Sequence, residues 1–270
     1  MCLITLNWQP SHPQRLVIAA NRDEFYARPT LALHHWPGQG ILAGQDLQAG
    51  GTWLGLSGRP GPIRMAALTN YRDVTNQRAD AASRGHLTAA FLKSQDTAHD
   101  YLEALSAHTG RYNAFNLILF DGQQLMGFES RHRRIFALPP GITSVSNADF
   151  NTPWPKLERL RTSFEQALAA DGADEAGGGH RNILLEHQLF KLLSDDRVAP
   201  DAELPQTGIS LDRERVLSAA FIHTNDYGTR ASSVLCVGQH SARFTERCFD
   251  TDGLKGEVTH TLLRGNSCLT

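Results

Sequence analysis

The segment Cys2–Leu6, CLITL, carries side chains suited to burial on both faces of the strand it would form. Cys2, Ile4 and Leu6 fall on one face, Leu3 and Thr5 on the other. Such a strand must be covered on both sides. After the turn-like QPSHPQ comes RLVIAANRDE (15–24), again rich in Leu, Val and Ile, and the two runs read as a hairpin. The Gly-rich stretch 38–62 holds a strand at about Thr52–Leu56, and IRMAALTNYR (63–72) is another, running into a polar turn. Helical spacing takes over from Ser83 to about Ala107, in two pieces.

FNLILFDGQQLMGFES (115–130) is a strand, an Asp-Gly turn and a strand, and RIFALPPGITSVSN (134–147) continues in short strands. PWPKLERLRTSFEQALAA (153–170) opens a helix at Pro155 with Leu157, Leu160, Phe164 and Leu168 on one face. RNILLEHQLFKLLS (181–194) pairs with it across the loop DGADEAGGG, and an irregular surface segment, 194–214, follows. RVLSAAFIHT (215–224), ASSVLCVG (231–238) and ARFTERCFD (242–250) read as closing strands. Strands, two helices, strands, two helices, strands is not the alternation of a parallel sheet. It predicts an α+β fold of two packed antiparallel sheets with helices outside, as a single domain over 1–270.

Composition excludes several classes. Hydrophobic residues make up 41% and charged residues 20%, with a formal net charge of −2 and interspersed signs, so there is no nucleic-acid footprint. No apolar run reaches the roughly 20 residues of a transmembrane helix, and no signal-peptide pattern opens the chain. Cys2, Cys236, Cys248 and Cys268 lie far apart without a CxxC, which argues against a disulfide framework or zinc knuckle and for a reducing cytoplasm. The twelve histidines form no metal motif, so no metal site is expected.

Cys2 follows the initiator directly. Removal of Met1 would leave an α-amine, with a reference pKa of about 7.7–8.0, on the residue that carries the thiol, so that one residue supplies nucleophile and base. On position alone, the reading of Cys2 as a small buried strand residue weighs more than the catalytic one. In AANRDE (19–24), alternation places Asn21 and Asp23 on one face and Arg22 and Glu24 on the other, at the hairpin end nearest Cys2. Asn70 and Asn147 each end an apolar strand, where an amide donates to an oxyanion or simply makes a turn. Arg230 enters a strand after a glycine, suited to lowering a thiol pKa or holding a carboxylate. GGTWLG (50–55) sets flexible backbone beside Trp53, and Tyr71 follows Asn70.

The start MC, NRDE at Asn21–Glu24, GGTWLG, ALTNYR (67–72), SVSN (144–147) before PWPK, and YGTRASSV (227–234) occur in order along nearly the whole chain. This set resembles the NRDE family, also called the transport and Golgi organisation protein 2 family. That family is similar to N-terminal nucleophile hydrolases of the penicillin acylase and bile salt hydrolase type, which implies a four-layer αββα sandwich. The resemblance implies Cys2, Asp23, Asn70, Asn147 and Arg230 as catalytic residues, with Asn21, Arg22, Glu24, Trp53 and Tyr71 as the substrate-binding surround. Those hydrolases carry their early arginine three residues before the aspartate, where this chain has Ala20. Arg22 would need a bulge to reach the face of Asp23. Two activities follow as expectations. One is hydrolysis of a non-peptide amide in a small acyl-bearing substrate, with no cofactor. The other is a carrier that binds haem or an acyl-CoA or other lipid, for which His34, His35 and Trp36 form a ligand-capable cluster.

Overall fold

In the computed structural model, residues 2–172 and 178–264 are described, the side chains of 172 and 178–182 excepted. Met1 and Cys268 lie outside them, as does 173–177 of the expected loop. The chain forms two antiparallel sheets. The elements are β1 (Cys2–Trp8), β2 (Gln14–Phe25), β3 (Thr30–Trp36), β4 (Ile41–Asp46), β5 (Leu54–Ser57) and β6 (Met65–Asn70), then α1 (Gly85–Lys93) and α2 (Ala98–Ser106). There follow β7 (Phe115–Phe120), β8 (Leu125–Glu129), β9 (Arg134–Ala137), β10 (Gly141–Val145), α3 (Pro155–Gly172), α4 (Gly178–Leu193), α5 (Leu211–Leu217), β11 (Tyr227–Gly238), β12 (Ser241–Asp250) and β13 (Gly253–Leu263). The first sheet runs β10–β1–β2–β11–β12–β13 and the second β3–β4–β5–β6–β7–β8–β9.

Alternation in β1 does what its sequence demands. Ile4 and Leu6 enter the core between the sheets with Leu16, Ile18, Leu54, Leu56, Ile118 and Phe244. Leu3 points the other way and packs with Val17 against Leu157, Phe164, Leu185 and Leu189 of α3 and α4. The outer face of the second sheet is closed by α1 and α2 through Leu87, Phe91 and Leu102. The layers are therefore helix, sheet, sheet, helix.

Two expectations are corrected. Residues 215–224 are not a strand. Ser210 caps a helix by accepting from the Arg213 amide at 3.4 Å, and Asp212 and Glu214 occupy the first turn of α5, where acids complement the helix dipole. Residues 218–224 are irregular apart from one bridge, His223 to Gly228. The Gly-rich segment contributes two strands rather than one, because β4 sits between β3 and β5. The strands β3 and β13, which the apolar pattern did not mark, form sheet edges.

Candidate functional site

The register of β1 on β2 pairs Cys2 with Arg22 and Ile4 with Ala20. Directly opposed residues share a face, with Cβ atoms about 5 Å apart, so Arg22 stands beside the thiol without any bulge in β2. The irregularity lies across the other edge of β2, between Thr229 and Ala231 of β11, and Arg230 is the extra residue. Asp23 pairs with Thr229, whose Oγ1 donates to Asp23 Oδ1 at 2.8 Å.

At this end of the sandwich opens a cavity of about 420 Å³ with a mainly polar lining. Cys2, Arg22, Asp23 and Glu24 supply one wall, Thr52, Trp53, Leu68 and Asn70 another, and residues 78–79 and 81–85 a third. The rim over Trp53 is built by Asp46. Its Oδ1 accepts from the amides of Gln48 and Ala49 at 3.0 and 3.2 Å, while Arg28 donates to Oδ2 at 2.9 and 2.6 Å. Gly50 takes φ +75°, and a Cβ on Gly51 would lie 2.5 Å from the Gly85 carbonyl carbon. GGTWLG is thus the close crossing of the rim over the start of α1.

Cys2 is buried, and burial pushes its thiol up to about 11, with Arg22 working in the opposite direction. A second cation faces it. Arg84, just before α1, lines the cavity and donates to the Ala114 carbonyl at 3.0 Å. Burial lowers its pKa, with the charges of Cys2 and Glu24 opposing that shift. Glu24 lies 3.6 Å from Arg22 and 3.8 Å from Arg28. Asn70 faces the cavity with a side-chain amide that has no partner among the described residues.

On the helix side of the same strand end lies a buried charged cluster. Asp23 is 1% exposed and Lys156, in the first turn of α3, 2%. Burial drives the Lys156 amine down to about 8, while Asp23 is the foremost charge stabilising its protonated form. Burial raises the Asp23 carboxyl, with Lys156 the foremost charge holding it down. Arg72 bonds Glu214 at 2.9 Å and lies 4.8 Å over the Trp154 ring. Neither Lys156 nor Arg84 was expected from the sequence. Lys156 had a usable signal, since a cation in a first helical turn opposes the dipole and calls for an acid nearby.

Several expected site residues are engaged elsewhere. Asn21 is fully buried under the helices. Its Nδ2 donates to the carbonyls of Leu193 and Ala220 at 2.8 Å each, and its Oδ1 accepts from Ser232 Oγ at 2.7 Å. Asn147 Nδ2 donates to the Asn70 backbone carbonyl at 2.8 Å, so it secures the cavity wall from behind. The neighbouring Ser146 Oγ donates to the Cys2 carbonyl at 3.0 Å. Arg230 donates to the carbonyls of Phe25, Tyr26, Arg28 and Phe249 at 2.7–3.2 Å and fastens the turn after β2. Tyr71 lies outside the cavity lining and packs 5.0 Å under the Arg131 guanidinium. The structure therefore brings together Cys2, Arg22, Asp23, Glu24, Trp53 and Asn70, and adds Arg84 and Lys156. His34 and Trp36 stack at 6.4 Å on edge strand β3, and His35 turns to His260 at 5.1 Å, away from this cavity. No group of three or more His, Cys, Asp or Glu able to hold a metal occurs among the described residues, and no helix among them is long and apolar enough to cross a membrane.

The fold and site define a class: a layered αββα protein with a penultimate cysteine on the wall of an arginine-rich cavity. Residues 1–251 match the family model described as Transport and Golgi organisation 2. The chain is 36% identical to the bovine Transport and Golgi organization protein 2 homolog, covering 96% of this chain and 97% of that one. It is 32% identical to the mouse homolog over 92% of each, and 30% identical to the Drosophila melanogaster protein over 88% of each. The chain belongs to the Transport and Golgi organisation 2 family.

Proposed function

We propose that this chain is an N-terminal cysteine amidohydrolase acting on a non-peptide C–N bond in a small, acyl-bearing substrate. The observation that carries this reading is the position of Cys2, on a cavity wall opposite Arg22 and beside Asp23 and Asn70. With Met1 removed, the Cys2 amine accepts the thiol proton and the thiolate attacks the substrate carbonyl carbon. The Asn70 amide donates to the oxyanion that forms. Collapse breaks the C–N bond, and the departing nitrogen takes the proton held by the Cys2 amine. Water then attacks the thioester, the carboxylic acid leaves, and the thiol is regenerated. Arg22 and Arg84 favour the thiolate and suit a substrate that carries an acidic group. The carrier of haem or acyl-CoA is the competing reading, and the mainly polar lining favours hydrolysis over enclosure of a large apolar ligand.

Two measurements test the proposal. Intact mass of the purified protein should lack Met1, and an electrophilic thiol probe should label Cys2 ahead of Cys236 and Cys248, whose thiols burial pushes up to about 12. Retained Met1 refutes it, because the amine base would not exist. A saturable Soret shift at micromolar haem that survives Cys2→Ala, without turnover of any amide panel, supports the carrier instead.

A further inference from the structure

The thiol and the oxyanion donor of the reaction above stand on different sheets. Cys2 opens β1 in the first sheet, and Asn70 closes β6 in the second. Attack on a carbonyl needs both at once, the thiolate at the carbon and the amide at the oxygen. A misplacement of about 1 Å costs as much as about 10²-fold in rate. Whatever fixes the separation of Cys2 and Asn70 has to cross from one sheet to the other.

Ser146 and Asn147, directly after β10, make such a crossing. The ladder between β1 and β10 runs from Trp8–Gly141 to Ile4–Val145 and stops there. Beyond it a side chain takes over, since Ser146 Oγ donates to the Cys2 carbonyl at 3.0 Å. The same oxygen lies 3.2 Å from Asn147 Oδ1, where its single proton can serve either acceptor. Asn147 Nδ2 donates to the Asn70 carbonyl at 2.8 Å. Three hydrogen bonds thus join the backbone of the nucleophile to the backbone of the oxyanion donor. Both linking side chains are buried, Ser146 2% and Asn147 1% exposed. The Asn70 end is fixed from further points. The Arg72 amide donates to the Asn147 carbonyl at 2.7 Å, and the Tyr71 amide to the Ala114 carbonyl at 2.9 Å. Asn116 Nδ2, on β7, donates to the Ala148 carbonyl at 2.7 Å and to Thr69 Oγ1 at 3.1 Å. The backbone around Asn70 is therefore held, while its side chain lines the cavity. A donor fixed before the reaction is what oxyanion stabilisation requires. Without Ser146, Asn147 and Ala148 keep their own bonds to the second sheet, and Cys2 loses its side-chain tie to them.

We propose that Ser146 is a positioning residue that holds the Cys2 thiol and the Asn70 amide at the separation a carbonyl substrate needs. The inference rests on the hydrolase reading for Asn70 as the oxyanion donor, and it gives Ser146 no contact with substrate.

The test compares two reactions of the same thiol. In acetylation by p-nitrophenyl acetate the thiolate adds to the ester carbonyl, an oxyanion forms, and the C–O bond breaks to release p-nitrophenolate. In alkylation by iodoacetamide the thiolate displaces iodide and no oxyanion forms. Each second-order rate is the part lost in Cys2→Ala. The ratio of acetylation to alkylation removes changes in thiol ionisation, access and folded fraction, which a merely structural role would alter. Asn70→Ala should lower the ratio about tenfold or more, and Ser146→Ala about tenfold. Ser146→Thr keeps the hydroxyl and should stay within about twofold of the parent. The double variant should fall no further than Asn70→Ala alone. Asn147→Leu, which removes the donor to Asn70, should lower the ratio as Ser146→Ala does and decides the matter if Ser146→Ala does not fold. An unmoved ratio in the deciding variant, equal losses in Ser146→Ala and Ser146→Thr, or additive losses in the double variant overturns the proposal. If Asn70→Ala lowers the ratio and Ser146→Ala does not, the inference fails and the oxyanion assignment stands. If Asn70→Ala leaves it unmoved, both fail. Intact mass reports Met1 separately.

Discussion

Asn21→Ala separates the structural from the chemical content of NRDE. Asn21 is 0% exposed and makes three hydrogen bonds, two to the Leu193 and Ala220 carbonyls and one from Ser232. Leu193 ends α4, where the last carbonyls have no partner within the helix. Alanine strands both carbonyls, leaves the Ser232 hydroxyl to seek another acceptor, and opens a small void. Each unpartnered buried group costs about 1–3 kcal/mol. Partial rescue by a rotated hydroxyl or an entering water reduces the sum, so the expected loss is about 3–4 kcal/mol. Against a typical stability of about 5–15 kcal/mol the variant still folds. In urea, with a slope of about 3 kcal/mol/M, the midpoint should fall by about 1 M at unchanged slope. Cys2 labelling in the folded variant should match the parent. A loss below about 1 kcal/mol, or a folded variant whose Cys2 no longer reacts, would refute the assignment of Asn21 to the scaffold.

The Arg72–Glu214 pair, at 2.9 Å with both side chains 5% exposed, should be costly to break from one side. Arg72→Met is expected to lose about 3–5 kcal/mol in urea unfolding, and Arg72→Met with Glu214→Gln markedly less than the sum of the singles; additivity would refute the pairing. Glu246 lies between the sheets and accepts from the Leu33 amide at 2.8 Å, and burial raises its pKa. The folded chain therefore keeps a proton that the unfolded chain has lost. The stability tied to Glu246 is whole below the unfolded value, about 4.3, and declines as pH rises toward the raised folded value. Glu246→Gln keeps the Leu33 acceptor and removes that decline, so it should gain on the parent between pH 4 and pH 8 in guanidinium unfolding. A difference that is flat with pH, or that falls, contradicts the raised pKa of the buried carboxyl.

Burial on both faces was legible in CLITL, because period-two alternation needs only local residues, and with it came the layered fold. The edge strands were not, since β13 is exposed on much of its length, β3 is only partly buried, and both lack a continuous apolar face. The 215–224 segment misled because its apolar run resembles a strand, while the deciding residues, Ser210, Asp212 and Glu214, lie ahead of it. At the site, Cys2, Arg22 and Asp23 were legible for the same reason the hairpin was, namely register along one short turn. Asn147 and Arg230 show the limit of residue type as a guide. An amide or guanidinium at a strand end serves backbone carbonyls as readily as a substrate, and both here are consumed by carbonyls. Lys156 and Arg84 come from segments far from Cys2 in the chain, and only packing brings them to it. What the geometry adds to the sequence is therefore mainly charge. The thiol faces two arginines on the cavity side, and the helix side of the same strand end holds the buried Asp23 and Lys156. Each buried charge there carries a desolvation cost that apolar side chains avoid.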